Sequence, residues 1–395
     1  MTVQNITYFV GAGLTKSLQT DARPVPAMLD FTSTMADYLE DDIVLTTMAE
    51  LENAEIYQHK SEEAVRLAAK VVGKSADRST AIRVAFREAL KSRPPESIED
   101  LLERSLGPSG NPAAASAHQR FKYAINRLFC LVGWNINKKP LEHFLEHQIG
   151  PDGARHTFVS FNYDLILESS VQKVSAKWQP EIGYGFDIPF YLTEDLPQSE
   201  VAEGTLDYVR AVPFIGARTA ESITVLKPHG SLNWLVPYEM PYVHTPQGVK
   251  FLDRPPVLPL TIQHSIRYWC SSHIFQHVAL PNEMPSEVGI CILPPSPAKR
   301  SELSFVKASR EAEATALAEA DEVFVIGWSV PVTDTDQAAL IERAVGERRK
   351  PLRSLTVVNR NAPAAYFDQI ARLFQIDSRR LHEYNAGFAD FAARL

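Results

Sequence analysis

The chain has 395 residues, of which 45% are hydrophobic and 22% charged, and a formal net charge of −8. That length forms one large domain or two ordinary ones, in the composition range of globular proteins. The acidic balance gives no general reason to expect direct nucleic-acid binding.

Three cysteines (Cys130, Cys270 and Cys291) lie far apart and form no CxxC pair. They build neither a disulfide framework nor a zinc ribbon, and they suit a reducing compartment. The first residues, MTVQNITYFV, lack the basic and apolar regions of a signal peptide. No apolar run approaches the roughly 18 residues that a membrane span needs. A cytoplasmic setting without a membrane partner is therefore expected.

In chain order, the first predicted element is a strand over 6–10, stopped by Gly11-Ala12-Gly13 and followed by Thr15, Lys16 and Ser17. A strand that ends in glycines before a helix commonly holds a phosphate on backbone N–H groups. From about 35 to 150 the pattern is mostly helical. No proline falls between Pro26 and Pro94, and SEEAVRLAAKVVG and SIEDLLERSLG carry apolar stripes at helical spacing. Apolar β-rich runs then predict strands over 156–161, 223–227, 322–327 and 354–358. A helix runs straight into the 322–327 strand. Residues 228–297 hold 12 of the 27 prolines, which predicts loops and short edge elements. The fold expected is α/β: a Rossmann-like parallel sheet with helices on both faces. Its core would comprise 1–34 and 151–395, with 35–150 a large helical insertion after the first strand.

In such a sheet, ligands sit outside the carboxyl ends of the strands. The five predicted ends deliver Gly11-Ala12-Gly13-Leu14-Thr15, Asn162-Tyr163-Asp164, Pro228-His229-Gly230-Ser231, Gly327-Trp328-Ser329 and Asn359. Each has a plainer reading alone. GxG without a third glycine is also a tight turn, Asn and Asp are turn and cap residues, and a histidine beside Pro and Gly is often a hydrogen-bonded loop residue. A purely structural sheet does not require all five.

The ordered set GAGLT, FNYD, KPHGS, GWS and VN resembles the SIR2-like family, and within it the bacterial defence branch. The similarity spans about 1–31 and 155–361. It implies an NAD+ site in which Gly11, Ala12, Gly13 and Thr15 cradle the pyrophosphate. Asn162 and Asp164 would lie at the nicotinamide ribose, with His229 as the family's catalytic histidine. Gly327, Ser329 and Asn359 would hold the adenosine side.

The chemistry needs no metal and no covalent nucleophile. Nicotinamide leaves readily because its departure neutralises a pyridinium, and the transition state resembles an oxocarbenium ion. An amide (Asn162) can orient ribose or water, and an imidazole (His229) can take a proton. A dehydrogenase would need a second substrate pocket and usually a full GxGxxG. Family deacylases resemble one another in a four-cysteine zinc module, which three cysteines cannot build.

The expectation is therefore an NAD+ hydrolase forming ADP-ribose and nicotinamide, in a defence system that depletes NAD+. The alternative is a non-catalytic NAD- or ADP-ribose-binding regulatory subunit. An unregulated NADase would kill its host, so homo-oligomerisation and a separately encoded partner, such as a HerA-type ATPase or a short Argonaute, are also expected. Two motifs point elsewhere. GAGLTKS has the Lys-Ser of a P-loop, but Thr15 stands where GxxxxGK[ST] needs glycine. HFLEH at 143–147 fits the HxxEH of inverted zinc proteases but has no obvious third ligand.

Overall fold

The computed structural model describes residues 3–20, 136–150, 153–179, 183–185, 222–237, 304–330 and 335–395, with several short strands and single positions elsewhere. The helical stretches 61–73 and 97–107 lie outside the described residues. Contacts divide the chain into two compact units, 1–18 with 136–395, and 19–135. Everything below concerns the first unit.

Its centre is a six-stranded, all-parallel sheet made of β1 (Gln4–Val10), β2 (Ala154–Ser160), β3 (Ile223–Leu226), β4 (Glu322–Ile326), β5 (Ser354–Val358) and β6 (Leu381–Tyr384). Read from one edge, the order is 3-2-1-4-5-6, that of doubly wound nucleotide-binding sheets. All five predicted strands lie in this one sheet. The sixth, LHEY, is a short edge strand with no fully buried side chain, and it has no apolar run to reveal it.

The alternation of side chains along each strand builds two cores. On one face Ile6, Tyr8, Val10, Phe158 and Phe324 pack with α2 (Lys139–Ile149), α3 (Ile166–Val174) and α7 (Phe388–Ala392). On the other, Phe9, Val159, Val325 and Val357 pack with α4 (Ser304–Glu319), α5 (Thr335–Gly346) and α6 (Ala364–Leu373). A strand buried on both faces reads as a continuous apolar run, and for this reason β1 to β5 were legible. Register pairs Tyr8 with Phe158 on one side and Phe324 on the other, and the rings stack at 4.4 and 5.1 Å. Such aromatic pairs stabilise a fold by about 0.5–1.5 kcal/mol each beyond their buried area.

A second six-stranded sheet forms where proline density predicts loops. It takes in 190–193, 208–213, 277–279, 286–292, 230–237 and 258–259, in that order. Its prolines occupy permissive places. Pro213 and Pro237 are the last residues of their strands, and Pro259 is in the edge strand. A missing N–H costs little at these positions. Among the described residues no helix is long and apolar enough to cross a membrane.

One buried polar group sits inside the sheet, away from its carboxyl edge. His156 Nδ1 lies 3.1 Å from the Tyr8 hydroxyl, which also reaches Gln148 Oε1 at 3.1 Å. Burial pushes the His156 imidazole down from 6.5 to about 4. Between these values the unfolded chain binds a proton that the folded chain refuses. Stability should thus fall as pH drops through the window, by up to about 3 kcal/mol. Urea midpoints measured from pH 7 to 4.5 should show a steeper acid limb for the wild type than for His156→Gln. Superimposable limbs would remove His156 from this role.

Candidate functional site

The site is built at the carboxyl edge of the sheet, beginning with β1. After Val10 the chain turns through Gly11 into α1 (Ala12–Ser17). This turn lies directly on the end of β4. Gly11 N–H donates to Ile326 O at 3.0 Å and Gly13 N–H to Gly327 O at 2.8 Å. A Cβ on Gly11 would fall 2.6 Å from Gly327 O, and one on Gly13 would fall 2.7 Å from Gly327 Cα. Gly327 itself has φ +60°, and a Cβ there would meet Leu14 N at 2.3 Å. Three glycines are thus required because two backbones touch. Two of the loop donors are occupied by this contact, whereas Ala12 N–H has no backbone acceptor among the described residues.

The end of β2 clamps the same loop. Asn162 Nδ2 lies 3.2 Å from both Gly11 O and Thr15 Oγ1, and the buried Thr15 hydroxyl donates to Asp164 Oδ2 at 3.0 Å. Asp164 Oδ1 in turn accepts from Ile166 N–H at 3.0 Å, the first N–H of α3. Asn162 and Asp164 thus fasten α1 and α3 to the sheet edge. The Asn162 amide is partly exposed, and its oxygen accepts no hydrogen bond among the described residues.

Behind Asp164 lies a charged pair that sequence reasoning missed. Lys227, the residue after β3, places its ammonium 2.8 Å from the Asp164 carbonyl and 2.7 Å from the Glu168 carboxylate. Both side chains are fully buried, and burial pushes the Glu168 carboxyl up against the pull of Lys227. Lys138, at the start of α2, reaches Ser169 Oγ at 2.9 Å, and burial lowers its pKa. The signal for Lys227 was present in the sequence, since a lysine closes the apolar run ITVL.

His229 follows two residues later and is 4% exposed. Its ring stands edge-on to Phe161 at 5.6 Å and tilted to Tyr163 at 6.4 Å. Phe161 also stacks on Trp328 at 4.8 Å, so an aromatic row links the ends of β2, β3 and β4. Ser329 is exposed at the end of that row.

Asn359 ends β5. Its Oδ1 accepts from Arg360 N–H at 2.8 Å, and its side chain lies beside the Tyr366 phenol. Burial pushes that phenol up to about 12, and its hydroxyl donates to the Trp328 carbonyl. The Asn359 side chain is therefore occupied in bracing the turn. A cavity of ≈ 330 Å³ opens beside it. Gly13, Lys16 and Ser17 form one wall, Gly327 and Val358–Asn361 another, and Gly387–Phe388 a third.

The structure therefore sorts the candidate residues into three places. Gly13, Gly327 and Asn359 line the cavity, while Gly11, Thr15, Asn162 and Asp164 form the clamp beside it. Ala12 begins α1, His229 is buried in the aromatic row and Ser329 is exposed at its end. His143, Glu146 and His147 of HFLEH are exposed, on the face of α2 opposite Leu141, Phe144 and Leu145. Among the described residues no three His, Cys, Asp or Glu side chains are grouped to hold a metal. Comparison of the sequence with models of known protein families, and with curated proteins, gives no match.

The glycine contact is directly testable. Gly327→Ala forces a side chain onto the Gly13–Leu14 backbone at positive φ. It should lower stability by about 2–4 kcal/mol in urea denaturation. Gly346→Ala, at an exposed helix end where a Cβ would meet nothing within 4 Å, is the control and should be neutral or slightly stabilising. Equal midpoints for the two variants would mean that the contact is not a constraint.

Proposed function

We propose that this protein hydrolyses NAD+ to ADP-ribose and nicotinamide. The observation that carries the reading is topological: a 3-2-1-4-5-6 sheet whose switch point, between β1 and β4, is where the GAG turn meets the Gly327 turn. Ligands of such sheets lie at that crevice, and the ≈ 330 Å³ cavity opens there.

In this mechanism the adenosine diphosphate part lies in the cavity and the nicotinamide ribose faces Asn162. The C1′–N bond breaks, its electron pair leaves with nicotinamide, and the oxocarbenium-like ribose is captured by water. Asn162, whose amide hydrogens are held by Gly11 and Thr15, presents its amide oxygen to a ribose hydroxyl or to that water. His229 accepts the proton that the water releases. Asp164 and Thr15 act through Asn162 by fixing the loop on which it bears.

The same reading carries the setting that the sequence resemblance implies. NAD+ depletion would halt an infected cell, with the enzyme held inactive in a homo-oligomer by a separately encoded partner such as a HerA-type ATPase or a short Argonaute. A second reading has its own support. The donors of the clamp are satisfied within it and His229 is 4% exposed, which suits a subunit that binds NAD+ or ADP-ribose without turnover.

Nicotinamide release, measured with and without the partner, alongside calorimetric NAD+ binding decides between them. Asn162→Ala and His229→Gln should each lower turnover about 10²- to 10⁴-fold. NAD+ affinity should change much less. Glutamine is chosen at 229 because alanine would leave a void beside Phe161. NAD+ binding with no nicotinamide release under any condition would favour the regulatory subunit. Undiminished turnover in His229→Gln would remove that residue from the chemistry.

A further inference from the structure

Among the described residues the charged groups lining the cavity are Lys16 and Arg360, both exposed, and the ten described lining residues include no carboxylate. This matters for the adenosine end of a dinucleotide. Where an acidic side chain meets the adenosine ribose it holds the 2′-hydroxyl of NAD, whereas an arginine in that place accommodates a 2′-phosphate. Here the turn after β5 reads Asn359-Arg360-Asn361, neutral and cationic throughout.

Arg360 is also held ready. Asn359 Oδ1 binds its N–H, and its backbone bridges to Ala386. The next turn is clasped by Asn385, which accepts from Ala362 N–H and donates to Ala362 O, both at 2.8 Å. A methyl group on Gly387 would touch Arg360 Cβ, Cγ and Cδ at 3.6 Å each, so the side-chain stem runs along that glycine. The guanidinium itself forms no ion pair or hydrogen bond among the described residues. The nearby carboxylate on α7, Asp390, is engaged by Tyr384 and Arg394.

Building on the nucleotide site proposed above, we infer that the substrate class extends to 2′-phosphorylated dinucleotides, with Arg360 the specificity-determining residue for the phosphate. A guanidinium fork can meet two phosphate oxygens at once, and lysine cannot.

The experiment is calorimetric binding of three probes to the full chain: adenosine 5′-monophosphate, adenosine 2′,5′-bisphosphate and adenosine 3′,5′-bisphosphate. The 2′,5′ compound should bind about tenfold or more tighter than the monophosphate. The 3′,5′ compound carries the same charge and should gain much less. Arg360→Glu should erase the 2′ preference, and Arg360→Lys should retain part of it. Three outcomes overturn the inference alone: equal affinity for the 2′,5′ compound and the monophosphate, equal gain from either second phosphate, or a preference that survives Arg360→Glu. Failure of all three probes to bind overturns the inference together with the nucleotide reading of the cavity.

Discussion

The contact on which the carboxyl edge depends is between two backbones. The turn after β1 and the turn after β4 approach so closely that neither Gly11, Gly13 nor Gly327 has room for a Cβ. Two hydrogen bonds, Gly11 to Ile326 and Gly13 to Gly327, hold them together. The direction of α1 follows from this contact, because the helix starts inside it. So does the wall of the cavity, which Gly13 and Gly327 share. Asn162 can clamp the loop only because the loop is already seated on β4.

The second support is polar and buried. Removing two charges from water is costly, and an ion pair tolerates it only when further hydrogen bonds are made. Lys227 meets that condition: it binds the Glu168 carboxylate and the Asp164 carbonyl together. The pair ties the end of β3 to α3 just behind the residue that holds Thr15. Losing either partner would leave an uncompensated charge in the interior, at a cost of about 3–5 kcal/mol. The clamp thus rests on an electrostatic foundation that makes no contact with the cavity.

Legibility in the sequence tracks burial. β1 to β5 are buried on both faces and spelled themselves as apolar runs. LHEY at the sheet edge buries no side chain fully and did not. The second sheet was hidden because its prolines sit at strand ends and on its edge strand. At the site, the residue types at the strand ends could be read, but not their partners. Gly11 and Gly13 suggested a phosphate loop, while the contact that demands glycine lies with Gly327, more than three hundred residues away. Asn359 was visible at the end of an apolar strand. Arg360, one exposed residue further on, belongs to no periodic pattern, and only the fold places it in a cavity.

The central position of β1 has a consequence for how the chain is made. β1 needs β2 on one flank and β4 on the other, with Val10 registered against Ser160 and Ile326. Its second neighbour is synthesised 316 residues later, the separation that also joins Asn5 to Asp321. At about 5–20 residues per second, that interval is roughly 15–60 s. Throughout it, β1 keeps at least one edge open. The arrangement that places the GAG turn at the heart of the sheet therefore leaves a strand edge unpaired for much of translation, the kind of exposed edge on which misassembly starts.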